Sequence, residues 1–172
     1  MNHSKLLLAV TFLLLFVVLS STATEPRQSV VSDFVEVKSG PWMALAAHTP
    51  HSRISITSDG DFALQATSEG WAGNGTESDP YIIEGYIISS DQSCIRITGT
   101  YVHFVIRDCI LETISGGWDF GISLSYAHDG VVDSCLIRGK YLGIAAWTVY
   151  DCVFVNNTIY DTDIALNIDS CR

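Results

Sequence analysis

The feature that most constrains this chain is a repeat in its second half. Four five-residue segments align: Ile83-Glu84-Gly85-Tyr86-Ile87, Ile106-Arg107-Asp108-Cys109-Ile110, Val132-Asp133-Ser134-Cys135-Leu136 and Val155-Asn156-Asn157-Thr158-Ile159. Their fourth positions, Tyr86, Cys109, Cys135 and Thr158, are separated by 23, 26 and 23 residues. A second set recurs out of phase with the first: Cys94-Ile95-Arg96-Ile97, Gly121-Ile122-Ser123-Leu124, Gly143-Ile144-Ala145-Ala146 and Asp163-Ile164-Ala165-Leu166. Two short segments returning at one period describe a chain that coils, each coil burying its apolar face only against its neighbours.

The chemistry of the segments selects the kind of coil. They are short and rich in Ile and Val, and Gly, Asp, Asn and Ser separate them. That is strand and turn content, with no stretch long enough for a helix in every repeat. The L-x-x-L-x-L skeleton of leucine-rich repeats is absent. The expected fold is therefore all-β: a short right-handed parallel β-helix of about four to five rungs, like side chains stacking in columns about 4.8 Å apart. Tyr86, Cys109, Cys135 and Thr158 are expected to share one column. Ahead of the repeats, residues 48–56 read as strand entry, and Ser58 and Asp59 can cap a short helix over residues 62–68. Residues 70–80 carry turn formers without an apolar period and read as a loop.

The N-terminus reads differently. Residues 1–5 carry one lysine, residues 6–19 are apolar apart from Thr11, and Ser20-Ser21-Thr22-Ala23 supplies small residues. This is the order of a secretory signal, shorter than the roughly twenty residues of a bilayer span. The expected organisation is a signal peptide over 1–23, a tether over 24–47 and a β-helix domain over 48–172, with no stable membrane span after cleavage. The expected location is secreted, periplasmic or cell-surface. Because the last repeat is followed by only Asp169-Ser170-Cys171-Arg172, the coil reads as truncated at its C-terminus, with self-association through an uncapped last rung as the consequence.

The formal net charge of −10 argues against nucleic acid, which needs a basic surface. Five cysteines, Cys94, Cys109, Cys135, Cys152 and Cys171, leave an odd thiol in any set of disulfides. Cys109 and Cys135, at one repeat position, fit an inward ladder of small apolar side chains. Asn74-Gly75-Thr76 and Asn156-Asn157-Thr158 are glycosylation sequons, with Asn74 and Asn156 as acceptors.

Residues 73–83 (GNGTESDPYII), 104–109 (FVIRDC) and 154–159 (FVNNTI) together resemble the parallel-β-helix-repeat group, in particular the NosD-like surface and periplasmic proteins. The resemblance runs from about residue 48 to the end of the chain. It implies the fold. For function it implies copper maturation, action on sugars or a cell-surface role.

Three kinds of site are open. Acid–base hydrolysis needs facing carboxylates, for which Asp108, Asp133, Asp161 and Asp163 are the candidates, although turns want Asp for its own backbone hydrogen bonds. The Asp-Asp and Gly-His-Gly signatures of galacturonan hydrolases are absent, and so is a calcium-centred cluster of Asp, Arg and Lys. Trp118, Phe120, Tyr126, Tyr141, Trp147 and Tyr150 lie at or beside turns, where stacked rungs can line up rings for a glycan; Trp118, Tyr126 and Trp147 are the candidate stacking residues. Counting six residues back from the repeat's fourth position gives His103, Asp129 and Cys152, with His128 beside Asp129. A column of His103, His128 and Cys152 would offer nitrogen and sulfur donors to copper or zinc. The expected function is ligand binding, with glycan ahead of metal and a polysaccharide-acting enzyme as the alternative.

Overall fold

The computed structural model describes residues 48–115 and 118–172. The expected signal peptide and tether lie outside the described residues. Among the described residues, fourteen strands and one helix follow in order. The first coil holds β1 (Thr49–Pro50), β2 (Ile54–Ile56), α1 (Asp59–Glu69) and β3 (Tyr81–Glu84). The second holds β4 (Tyr86–Ser90), β5 (Ile95–Thr100) and β6 (Phe104–Arg107), and the third β7 (Ile110–Thr113), β8 (Phe120–Ala127) and β9 (Gly130–Asp133). The fourth holds β10 (Leu136–Arg138), β11 (Leu142–Trp147) and β12 (Val153–Val155), and then come β13 (Thr158–Tyr160) and β14 (Ile164–Asp169).

Every third strand pairs in parallel, giving three sheets in the orders β1-β4-β7-β10-β13, β2-β5-β8-β11-β14 and β3-β6-β9-β12. The chain is a parallel β-solenoid of about four turns. Its core is stacked columns of inward side chains. Ile54, Ile95, Ile122 and Ile144 form one, and Ile56, Ile97, Leu124 and Ala146 the next, all buried.

The corner between the third and first sheets shows why the repeat reads as it does. Gly85, Asp108, Ser134 and Asn156 each follow the last residue of a register-matched row, Glu84, Arg107, Asp133 and Val155, and each has positive φ. A left-handed residue turns the chain through the corner in minimal length, which suits Gly, Asn and Asp. Inside that corner Tyr86, Cys109 and Cys135 stack as expected, but the fourth member is Asn157, because Thr158 pairs with Leu136. The Asn157 side chain accepts from the Cys135 N–H at 3.0 Å and donates to the Val132 carbonyl at 2.9 Å. A polar side chain that satisfies two backbone groups outweighs the apolar fit of the alternative alignment.

The cysteine ladder holds. Cys109 and Cys135 are buried free thiols. The Cys135 thiol is pushed well above the ordinary thiol range by its hydrogen bond with Cys109 and by burial.

The helix is longer than expected. Ser58 caps it by accepting from the Asp61 N–H at 3.2 Å, and Gly70 ends it with φ 74°. Phe62, from the helix, stacks on Tyr81 at 4.9 Å and packs near Phe104 at 5.6 Å, so α1 lays an aromatic layer against the first two coils. Its Asp59 carboxylate accepts from Thr100 Oγ1 at 2.7 Å and the Tyr101 N–H at 2.8 Å, tying it to the second coil. The loop over 70–80 is a tight turn with two isolated bridges, Ala72 to Ile82 and Thr76 to Asp79.

Candidate functional site

The outer face of the second sheet carries the site. Residues there alternate with the core columns, so Arg96, Ser123 and Ala145 form one outward row, and Thr98, Ser125 and Trp147 the next. Phe120 begins β8, and Trp147 pairs with Ser125 five residues further on, yet their rings meet at 5.5 Å in an edge-to-face arrangement. The two side chains therefore lean toward each other along the strands. Between these positions along the strands, Ser123 and Ala145 are buried although they alternate with the core columns. Thr98, beside Ser125, carries the one side-chain oxygen among the described residues that is buried without a hydrogen-bond partner.

One loop makes this face deeper. Six residues separate β7 from β8, against three between β10 and β11. The longer connection accounts for the 26-residue repeat and brings Trp118, 83% exposed, onto Tyr141 with ring centroids 4.3 Å apart. Together with Asp91, Gln92 and Ser93 of the preceding coil, and with Arg53 and Arg96, the rings of Trp118, Phe120 and Trp147 line an open groove of about 330 Å³. That is the lower range of small-ligand sites, roughly 300–1,000 Å³.

The wall rests on a buried ion pair that sequence reading did not single out. Lys140 Nζ lies 2.7 Å from Asp119 Oδ2, with both side chains at 0% and 1% exposure. The ammonium also donates to the carbonyls of Ser90 at 2.7 Å and Gln92 at 3.1 Å, and Asp119 Oδ1 accepts from the Tyr141 N–H at 3.3 Å. One cation thereby joins three coils, with its three protons matched to three acceptors. Asp119 immediately follows Trp118, and Lys140 immediately precedes Tyr141, so the pair anchors the backbone beside the two rings.

Of the expected stacking residues, Trp118 and Trp147 come together at this groove. Tyr126 does not: it stands exposed at a corner with φ 49°. Tyr150 belongs to another column, in which His128 is sandwiched between Tyr101 at 4.4 Å and Tyr150 at 4.6 Å. The signals missed in sequence were the basic and polar residues. Arg96 was visible at an outward position of the repeat, but nothing in the sequence placed Arg53 or residues 91–93 beside it.

The proposed metal column divides. His103 Nε2 approaches Asp129 Oδ2 at 3.9 Å, while His128 lies in the ring sandwich. The register sets Asp129 opposite Asp151's position, one step before Cys152, which stacks on Gly130. Cys152 is half-buried against the core, its thiol directed to the Ala127 carbonyl at 3.9 Å, and burial raises its pKa. Among the described residues no group of three His, Cys, Asp or Glu side chains is placed to hold a metal. His103, His128 and Cys152 do not come together as such a group.

The candidate acids occupy corners. Asp108 and Asp161 have positive φ. Asp133 accepts from Ser134 Oγ at 2.9 Å and Asn156 Nδ2 at 3.1 Å, and Asp163 sits exposed just before β14. Of the sequon residues, Asn74 lies on the exposed 70–80 loop with its Oδ1 accepting from Thr76 Oγ1 at 2.8 Å, while Asn156 is exposed at a corner.

Fold and groove define a class: a parallel β-solenoid with an aromatic-walled groove on the outer face of one sheet. Comparison with protein-family models, with curated proteins and with solved structures finds no match in any of the three.

Proposed function

We propose that this chain is a secreted or cell-surface β-solenoid module that binds glycan along the outer face of its second sheet. The observation that carries the reading is the arrangement of Phe120 and Trp147, whose rings meet edge to face and line one groove with the exposed Trp118. Apolar ring faces flanked by hydroxyl, amide and carboxylate groups suit a sugar, which presents C–H faces and hydroxyl edges at once. Parallel stacking adds to this, because a flat sheet repeats its side chains at rung spacing and so matches an extended oligomer. The NosD-like resemblance supports the extracytoplasmic setting and a sugar-related role.

The test is a glycan array probed with the exported chain. Binding to an oligosaccharide is expected, and Trp147→Ala is expected to weaken it about thirtyfold, the loss typical of a buried aromatic anchor. Circular dichroism would check that the variant keeps its strand content. Unaltered binding by a folded Trp147→Ala variant would move the site elsewhere.

A further inference from the structure

Resting on the glycan reading, we infer that the groove selects an acidic sugar, one bearing a carboxylate or sulfate group, and that Arg96 and Arg53 are the residues that read the charge. Apart from the C-terminal Arg172, the described arginines divide into two kinds. Arg107 and Arg138 are neutralised by neighbours in register: Arg107 Nε lies 2.6 Å from Glu84, and Arg138 holds Glu112 through two nitrogens at 2.6 and 2.9 Å. Arg53 and Arg96 have no carboxylate within ion-pair distance and no side-chain hydrogen bond among the described residues. Both line the groove.

Their placement is fixed by the coil. Arg96 is the second residue of β5 and pairs with Ser55 on one side and Ser123 on the other. Arg53 immediately precedes β2, whose Ile54 pairs with Ile95. The two arginines thus stand on adjacent coils, and both line the groove with Ser123. The chain as a whole carries −10, so two unneutralised cations at one groove are a local reversal of its field. Asp91 is the one carboxylate on the lining, which leaves the groove with a net positive charge and an acceptor for sugar hydroxyls.

A guanidinium presents a planar fork that matches a carboxylate or sulfate with two parallel hydrogen bonds, a specificity that a neutral hydroxyl cannot satisfy equally. The aromatic wall would hold the ring and the arginines would read its substituent.

The experiment titrates the exported chain with two matched probes by calorimetry: an oligouronate, and the same oligomer with its carboxyl groups reduced to alcohols. The acidic probe is expected to bind at least tenfold tighter, with the advantage shrinking as salt rises. Arg96→Gln is expected to remove most of that difference while leaving the neutral probe within about twofold, and Trp147→Ala to weaken both. Equal affinity for the two probes, with both lost in Trp147→Ala, would overturn the charge selectivity and leave glycan binding standing. A preference for the acidic probe that survives the double Arg53→Gln, Arg96→Gln variant would overturn the role of these residues. Binding of neither probe, nor of sulfated or sialylated oligomers on the array, would sink both readings.

Discussion

An ammonium and a carboxylate that bury each other are costly to desolvate and costly to separate. Lys140 and Asp119 satisfy that condition only because the Ser90 and Gln92 carbonyls and the Tyr141 N–H complete their hydrogen bonding. Removing one partner leaves an uncompensated charge in the coil, which typically costs about 3–5 kcal/mol, whereas replacing both by apolar residues of similar volume is far milder. Lys140→Met is therefore expected to destabilise the domain by about that amount in urea unfolding, and Lys140→Met with Asp119→Leu to recover most of the loss. Equal destabilisation in the single and double variants would show that the lysine acts through its carbonyl contacts instead. Neither residue was legible beforehand, because Lys140 sits among turn residues and nothing local signals that its head is buried. The cysteine ladder was legible, since Cys109 and Cys135 recur at one repeat position and share the inward side.

At the scale of the element, register decides which face a side chain serves. In the sequence the last segment of the first repeat sets Val155 opposite Val132, while the structure pairs Phe154 there. That one-residue shift exchanges inside for outside along the whole strand. In the second repeat the equivalent shift is two residues, since Leu166 rather than Ile164 pairs with Ile144, and the faces are unchanged. The odd shift is set by Asn157, whose amide reaches both Cys135 and Val132. Asn157→Ala is expected to cost about 1–3 kcal/mol by leaving those backbone groups unpaired. Hydrogen exchange should show the Cys135 amide losing protection first. A variant as stable as wild type would mean that water replaces the side chain at no cost.

Across the molecule, apolar burial is uneven. The second and third coils bury nearly all their large aliphatic side chains, while Val153, Ile164, Leu166 and Ile168 of the last strands are 39–50% exposed. Strand edges with apolar side chains are templates for further pairing. Light scattering of the chain is expected to show self-association at high concentration, and Leu166→Lys to shift it toward monomer. A wild-type chain that stays monomeric at high concentration would refute this. At the opposite end, Phe62 on α1 packs against Tyr81 and Phe104 and covers part of the first coils.

The sequence by itself determined the class of fold, because a solenoid's stability comes from neighbour-to-neighbour stacking and so writes its period directly into the chain. Two out-of-phase segments rich in Ile and Val, with Gly, Asp, Ser and Asn at the corners, leave few other ways to bury the apolar faces. It also placed Trp118 and Trp147 as surface aromatics near turns. Only the tertiary structure decided that these two meet one groove while Tyr126 stands apart, and that His128 lies between two tyrosine rings while His103 faces Asp129 and Cys152 packs against the core. A column is defined by register, and register depends on corner geometry, loop length and single side-chain hydrogen bonds. Those small local differences shift partners by one residue, and one residue is the difference between lining a groove and filling the core.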